Sequence, residues 1–399
     1  MKLKQIALAI FSASVAGSAL AGGFSLSEQS VSAMGTANAG RASNAQDASV
    51  VYNNPAAMHL LKQAQFTQAV AFIDAQTKIK NATGGIGGGT NEGDIVPHTF
   101  IPSGYFTSGD KGGWAWGVAA YGSYGLKTNH EATYAARYLG DKSSVKVTTI
   151  QPTISYKVND KVSVGFGPTI NKLDAYLSKF GGPAAGQVEL EGDDIGYGFN
   201  VGTHINVSPA TQVGVVYRSK VKYKIDDGTL KAAAIPVTFT ASTGLSTPES
   251  VEVALSHKLN AKTTLHAGST WTRWSRFKEL AVTSTALGNS VAIFNWKDSV
   301  GYSVGVTHAV CDKLELRAGL AYDNSPVAPA DRSVRLPSAD RRVASIGAGY
   351  TLSPTQTIDA SYTYLDEEKA EVRHAAAPAY SADFHNRASV YGLQFTQKF

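Results

Sequence analysis

Four basic residues spaced two apart are the sharpest chemical signal in the chain. Arg218, Lys220, Lys222 and Lys224 alternate with Tyr217, Val221, Tyr223 and Ile225. In an extended strand successive side chains point to opposite faces, so the cations share one side and the apolar residues the other. If the apolar side meets lipid, the basic ladder faces an interior near its external end. A carboxylate there would be held by charge-assisted hydrogen bonds. The ordinary alternatives are pairing with interior acids such as Glu252 and contact with lipopolysaccharide phosphates. Arg218, Lys220 and Lys222, together with Phe24, are the ligand-pocket candidates. A second basic group, Arg332, Arg335, Arg341 and Arg342, reads as loop ordering or as binding of surface sugar phosphates.

Catalysis finds less support. Gly301-Tyr302-Ser303-Val304-Gly305 matches G-x-S-x-G, but that motif works on a strained strand-to-helix elbow. Here it sits inside a clean two-residue alternation with no helix after it, so no enzyme is expected. The nine histidines show no H-E-x-x-H or other metal spacing. The glycines from Gly84 to Gly89 lack the strand-to-helix setting of a phosphate cradle and read as a flexible external loop. A lone Cys311 makes neither an internal disulfide nor a structural zinc site and reads as a turn residue. No cofactor, metal or catalytic residue is expected. The 36 Lys and Arg against 31 Asp and Glu, two of them in the leader, leave no nucleic-acid footprint.

The elements that must position the ladder are long alternating strands. Ile195, Tyr197, Phe199 and Val201 oppose Gly196, Gly198, Asn200 and Gly202. The same rhythm holds at Tyr302, Val304 and Val306, and at Leu314, Leu316, Ala318, Leu320 and Tyr322. Such segments recur along the chain, each about the 9–11 residues that cross a bilayer at a tilt. Trp271, Tyr350, Tyr362 and Phe399 stand near segment ends, as interfacial aromatic girdles require. Tight turns at 159–160, 208–210, 260–261, 311–312, 353–354 and 109–113 alternate with longer polar stretches at 80–96, 124–143, 176–193, 226–248, 278–297, 324–340 and 370–384. Seven long loops imply fourteen strands in an all-β transmembrane antiparallel barrel over 63–399, with the short turns periplasmic. No stretch is long and apolar enough for a helical span.

The ends fit that scheme. Lys2 and Lys4, an apolar run from Ile6 to Val15, and Ala19-Leu20-Ala21 form a secretory leader over 1–21. The last strand ends on Phe399, suited to the barrel-assembly machinery. Residues 22–62 do not alternate and are rich in Ala, Ser, Gly and Asn. They are too few and too small-sided for an independent core, and read as a plug inside the barrel, with a periplasmic tail as the alternative.

In their order, the motifs Asn54-Pro55-Ala56, Tyr124-Gly125-Leu126-Lys127-Thr128, Tyr217-Arg218-Ser219, Trp271-Thr272-Arg273-Trp274-Ser275-Arg276-Phe277, Trp296-Lys297-Asp298 and Tyr322-Asp323-Asn324-Ser325-Pro326-Val327 are specific. Arg332, Leu336-Pro337 and Asp340-Arg341 follow. Over nearly the whole mature sequence the chain resembles the FadL/TodX family of outer-membrane hydrophobe transporters. The stretch 176–193 is short for a member with a large external binding surface. The resemblance implies a fourteen-strand barrel with an N-terminal hatch, capture at the external loops, a lumenal pocket, and lateral exit through the wall by the third strand. Asn54, Pro55 and Ala56 match the hatch motif. Gly117, Gly122 and Gly125 lie in or just after the third strand, where glycine weakens pairing and permits a bend.

The expected function is passive uptake of hydrophobic compounds, long-chain fatty acids first, across the outer membrane of a Gram-negative bacterium. Aromatic hydrocarbons, or a general diffusion porin, are the alternatives. The expected partners are the hydrophobic substrate, outer-membrane lipid and lipopolysaccharide, and the barrel-assembly machinery, with no nucleic acid.

Overall fold

The computed structural model describes residues 22–284 and 288–399. The leader over 1–21 lies outside the described residues. Nineteen strand segments join into one sheet. They are β1 (Gln65–Gly84), β2 (Thr99–Thr107), β3 (Trp114–Asn129), β4 (Lys142–Lys157), β5 (Val162–Phe180), β6 (Gln187–Asn206), β7 (Thr211–Arg218), β8 (Val221–Ala232), β9 (Ile235–Thr247) and β10 (Ser250–Lys258). β11 (Thr263–Thr272), β12 (Glu279–Ser284), β13 (Gly288–Ile293), β14 (Ser299–Cys311), β15 (Leu314–Asp323), β16 (Arg341–Ser353), β17 (Gln356–Glu367), β18 (Ala370–His374) and β19 (Tyr380–Lys398) complete it.

Five staves are broken along their length: β7–β8, β9–β10, β11–β12, β13–β14 and β17–β18. The segments thus form fourteen staves, all antiparallel. β19 pairs with β1 from Gln65↔Lys398 to Gly84↔Tyr380, which closes the barrel and leaves no edge. Closure satisfies the backbone groups that hydrocarbon would leave unpaired.

Side-chain alternation explains which face is which. Trp116, Ile154, Phe166, Ile170, Tyr197, Tyr302, Leu320 and Leu393 stand exposed on the outside. Thr149, Gln151, Ser163, His204, Glu252, His266, Arg317 and Gln394, on the same strands or their neighbours, are buried inside. A polar interior under an apolar exterior is the inverse of a soluble sandwich.

Several long stretches expected as loops are strands. β5 and β6 run on to a turn at 181–186, β8 and β9 to a turn at 233–234, and β12 and β13 fill most of 278–297. Their polar composition reflects a hairpin that rises out of the membrane with both faces wet. It does not reflect a lack of regular structure.

Residues 22–61 pack inside the closed sheet. Two short helical turns, Val31–Met34 and Val50–Asn53, and a 3-10 turn, Pro55–Leu60, are buried throughout most of their length. Asn54 caps the 3-10 turn by accepting from the Ala56 amide at 3.0 Å, and Pro55 occupies its first position, where a missing N–H costs nothing. Small side chains allow backbone to approach backbone. Any Cβ on Gly165, Gly202 or Gly214 would collide with Pro55–Ala56, Asn54 or Ala42.

Candidate functional site

A cavity of about 210 Å³ lies in the lumen between the N-terminal segment and the wall. Ser27, Glu28, Asn38, Arg41 and Tyr52 line it from the segment. Tyr121, Ser123, Tyr124, Asn171, Asn200, Arg218, Val221 and Glu252 line it from β3, β5, β6, β7, β8 and β10.

The charged group at its wall is compact. Arg41 binds Glu252 with two bonds, Nε to Oε1 at 2.8 Å and Nη2 to Oε2 at 2.9 Å. Arg218 Nη1 reaches the same Oε2 at 2.9 Å. Two guanidiniums therefore share one carboxylate, so this group of three carries one positive charge, with the Glu28 carboxylate on the wall of the same cavity. The Arg218 guanidinium also lies over the Tyr52 ring at 4.7 Å, and its Nε–H is buried with no acceptor. A buried charged donor without a partner is costly, so among the described residues this N–H would gain a bond if the wall shifted to admit an anionic oxygen.

The expected basic ladder is corrected here. Arg218 faces the lumen, but Lys222 and Lys224 are exposed while Val221, Tyr223 and Ile225 are buried. The strand breaks at Ser219-Lys220, between β7 and β8, and one added residue inverts every later side chain. Lys220 and Lys222 do not line the lumenal cavity. In their place Val221, Tyr223 and Ile225 pack on Val147 and Leu173 as an apolar lumenal patch. Of the alternatives weighed for Arg218, pairing with Glu252 is present.

Phe24 does not line the cavity but lies in an aromatic box beside it. Its ring is 4.8 Å from Trp274, 5.7 Å from Phe277, and 5.8 Å from both Tyr124 and Trp296. Trp274 is fully buried, and its indole N–H has no partner among the described residues. Gly23 precedes Phe24 at φ +72°, and a Cβ there would meet Trp274 at 2.6 Å and Trp296 at 2.8 Å. Only glycine turns the chain there and keeps it against both indoles.

The third stave is irregular where the glycines lie. β2 and β3 pair only from Thr107↔Gly117 to Gly104↔Ala120. Above that the wall is open, and Ser123 is an extra residue against β4. The N-terminal segment closes the break. Leu26 N donates to Ser123 O at 3.1 Å and Gly125 N to Phe24 O at 2.9 Å. The Gln29 side-chain amide donates to Gly122 O at 2.9 Å, while the Gln29 backbone carbonyl accepts from Ser103 Oγ at 3.1 Å and Tyr105 OH at 2.6 Å. Gly122 and Gly125 thus bracket the break. Gly117 lies below it under Val51 and Met58.

Asn54, Pro55 and Ala56 sit at the opposite end of the segment. The Asn54 amide donates to Ala42 O at 2.6 Å and Thr203 O at 3.1 Å. Ala56 O accepts from Ser155 at 3.2 Å and Ser163 at 2.9 Å. Sequence reasoning missed Arg41, Tyr52, Gln29 and the two indoles. Arg41 had a signal: it is the sole Lys or Arg in 22–61, and a lone cation among small residues calls for an acid on the wall. The sixth-loop arginines order the loop. Arg335 holds Lys142 O at 2.9 Å and Ser178 O at 2.7 Å, and Arg341 pairs with Glu367 at 2.9 Å.

The model of the outer membrane protein transport protein family, OMPP1/FadL/TodX, matches residues 12–399. A long-chain fatty acid transport protein of Escherichia coli O6:H1 (strain CFT073) is 26% identical over 441 residues, covering 98% of each chain. The crystal structure of a Pseudomonas aeruginosa FadL homologue superposes with a TM-score of 0.85 at 22% identity, over 95% of this chain and 100% of that one. The Pseudomonas putida toluene transporter TodX gives 0.68 at 16% identity, over 94% and 99%.

Proposed function

The chain belongs to the OMPP1/FadL/TodX family of outer-membrane transport proteins, which move hydrophobic compounds and are not enzymes, and from that premise we propose that it takes up long-chain fatty acids. The observation that carries this reading is the surplus positive charge at Arg41, Glu252 and Arg218, with the Arg218 Nε–H unpartnered at the cavity wall. A toluene-like substrate has no use for it. A fatty acid would place its carboxylate there and its chain toward Val221, the residue of the apolar patch that lines the cavity. Burial of apolar surface contributes about 25 cal/mol per Å², and the charge-assisted bonds fix orientation.

In this reading residues 22–62 act as the hatch. Phe24 occupies the aromatic box, and Phe24 to Gln29 seal the β2–β3 break. A hydrophobe captured at the external face competes with Phe24 for the box. Its displacement frees the Leu26 and Gln29 bonds and opens lateral exit beside Gly122 and Gly125. Lateral exit keeps the chain out of the watery periplasm, and movement follows the concentration gradient. Lipopolysaccharide would meet the exposed outer lysines, and the assembly machinery the terminal strand ending in Phe399.

A second reading rests on the aromatic box itself, which suits an aromatic hydrocarbon. Uptake of labelled oleate, oleyl alcohol and toluene by cells carrying the protein separates the two. Preference for oleate supports the fatty-acid reading, while toluene uptake with no oleate uptake overturns it. Ala56→Leu, placed where Ala56 is fully buried, should block uptake while the barrel still assembles. Normal uptake by that variant would remove the hatch from the mechanism.

A further inference from the structure

The wall has a second break, on a different stave from the third. β6 pairs with β7 from Asn206↔Gln212 to Asn200↔Arg218. It pairs again, with β8, from Glu191↔Thr229 to Val188↔Ala232. Residues 192–199 of β6 have no strand partner on that side, and residues 219–228 pass them by. At the lower end Ser219 clamps Phe199 twice, its N donating to Phe199 O at 2.9 Å and its Oγ accepting from Phe199 N at 2.8 Å. Toward the upper end the Asp194 carboxylate takes the Lys224 amide at 2.6 Å.

The passing segment seals the break from within. Gly192, Gly196 and Gly198 of β6 face it, and a Cβ on any of them would collide with Ile225, Val221 or Ser219. The absence of side chains lets β8 lie over β6. Val221 and Ser219 also line the lumenal cavity, with Asn200 and Asn171. On the outside, Ile195 and Tyr197 are 50% and 72% exposed, beside the exposed Phe199. Unpaired backbone in a membrane-protein wall persists only against protein or a wet cavity, and here residues 219–228 cover the stretch, with the cavity at its lower end beside Asn200, Ser219 and Val221.

Charge crosses the wall at the same place. Arg218 faces the cavity, Lys220 at the break is half-buried, and Lys222 stands outside. Neighbouring cations are occupied: Lys224 pairs with Asp226 at 2.9 Å, and Lys172 with Asp174 at 3.3 Å. Lys220 and Lys222 have no acidic partner among the described residues.

We propose that the break between β6 and β7–β8 is a second portal, through which a single-chain anionic amphiphile enters the lumenal cavity from the outer leaflet, its headgroup passed from Lys222 and Lys220 to Arg218. The portal rests on the reading of Arg218 as a carboxylate site. It differs from the β2–β3 break in what closes it. There a separate segment is the seal; here the stave itself is, so opening lifts Val221 and Tyr223 from Gly196 and breaks the Ser219–Phe199 and Lys224–Asp194 bonds.

The test uses the full mature chain in two settings. In detergent, equilibrium binding of oleate reads the lumenal site. In lipopolysaccharide-free proteoliposomes, the initial entry rates of oleate and oleyl alcohol read the route. Lys220→Glu with Lys222→Glu should leave oleate affinity within about twofold, lower oleate entry about fivefold or more, and spare oleyl alcohol, as rim charges act on association. Arg218→Gln should lower oleate affinity itself. Full oleate affinity in Arg218→Gln would remove the carboxylate site. Reduced affinity there, with unchanged oleate entry in the lysine variant, would remove the portal alone. Equal loss of acid and alcohol entry would also overturn it, since steering by charge cannot act on the alcohol. A fatty acid bearing a mid-chain diazirine should label peptides holding Ile195–Phe199 and Ser219–Tyr223. Labelling confined to β2 and β3 would contradict the route.

Discussion

The β2–β3 break and the β6–β8 break in the barrel wall solve one problem in different ways. At the β2–β3 break, closure comes from residues far away in sequence, Phe24 to Gln29, held by backbone and side-chain hydrogen bonds and an aromatic box. At the β6–β8 break, closure comes from the stave itself, which bends inward over glycines. The first seal can leave without disturbing the sheet. The second cannot move without moving the hairpin of β8 and β9. In the proposed route the separable seal would act as the gate, and the built-in seal would set a slower, charge-selected leak between lumen and leaflet.

The largest predicted effect breaks the first seal. Gly23→Val puts a β-branched residue at φ +72° between Trp274 and Trp296, at a cost of several kcal/mol, about 1–2 from the backbone and about 1–3 from overpacking. Phe24 should leave its box, and conductance in planar bilayers should rise about tenfold or more while the barrel still assembles. Unchanged conductance would mean that the N-terminal segment does not seal the wall.

A smaller effect is expected at the second seal. Gly196→Ala pushes Val221 and Tyr223 away from β6, costing about 1–3 kcal/mol. Conductance should rise less than in Gly23→Val, and oleate entry should quicken. If Gly196→Ala opened the barrel more widely than Gly23→Val, the ranking of the two seals would be reversed.

The smallest effect concerns the external cap beside the first break. His130 stacks on Tyr134 at 3.8 Å and its Nε2 donates to Val334 O at 3.1 Å. Burial holds His130 below the ordinary histidine value, so the packed cap favours the neutral ring. Its contribution is full above the unfolded value of about 6.5 and is lost as pH falls through that value toward the lower folded one. Limited proteolysis of 130–141 should quicken modestly on acidification from pH 8 to 5, and His130→Gln should flatten that profile. A profile unchanged by His130→Gln would place the sensitivity elsewhere.

Strand number and exterior were legible because alternation has a period of two whatever surrounds it. Ile195, Tyr197 and Tyr302 face outward as read. The basic ladder was misread for the same reason. Period-two reading carries parity forward indefinitely, and nothing in Arg218-Ser219-Lys220-Val221 announces the break that inverts it. The polar hairpins read as loops in the sequence because strands outside the membrane lose their apolar face. The wall partners of residues 22–62 were not legible at all. Gln29 joining Ser103, Tyr105 and Gly122 is a contact between segments with no shared local pattern. Family motifs such as Asn54-Pro55-Ala56 pointed to the region without its partners.

Equilibrium binding of oleate and oleyl alcohol to wild type and Arg218→Gln in detergent tests the central claim most directly. A charge-assisted bond contributes about 1.5–3 kcal/mol, so oleate affinity should fall about tenfold or more in the variant. Oleyl alcohol affinity should stay within about twofold. Equal oleate affinity in the two proteins, or an equal fall for acid and alcohol, would contradict a lumenal site built for a carboxylate.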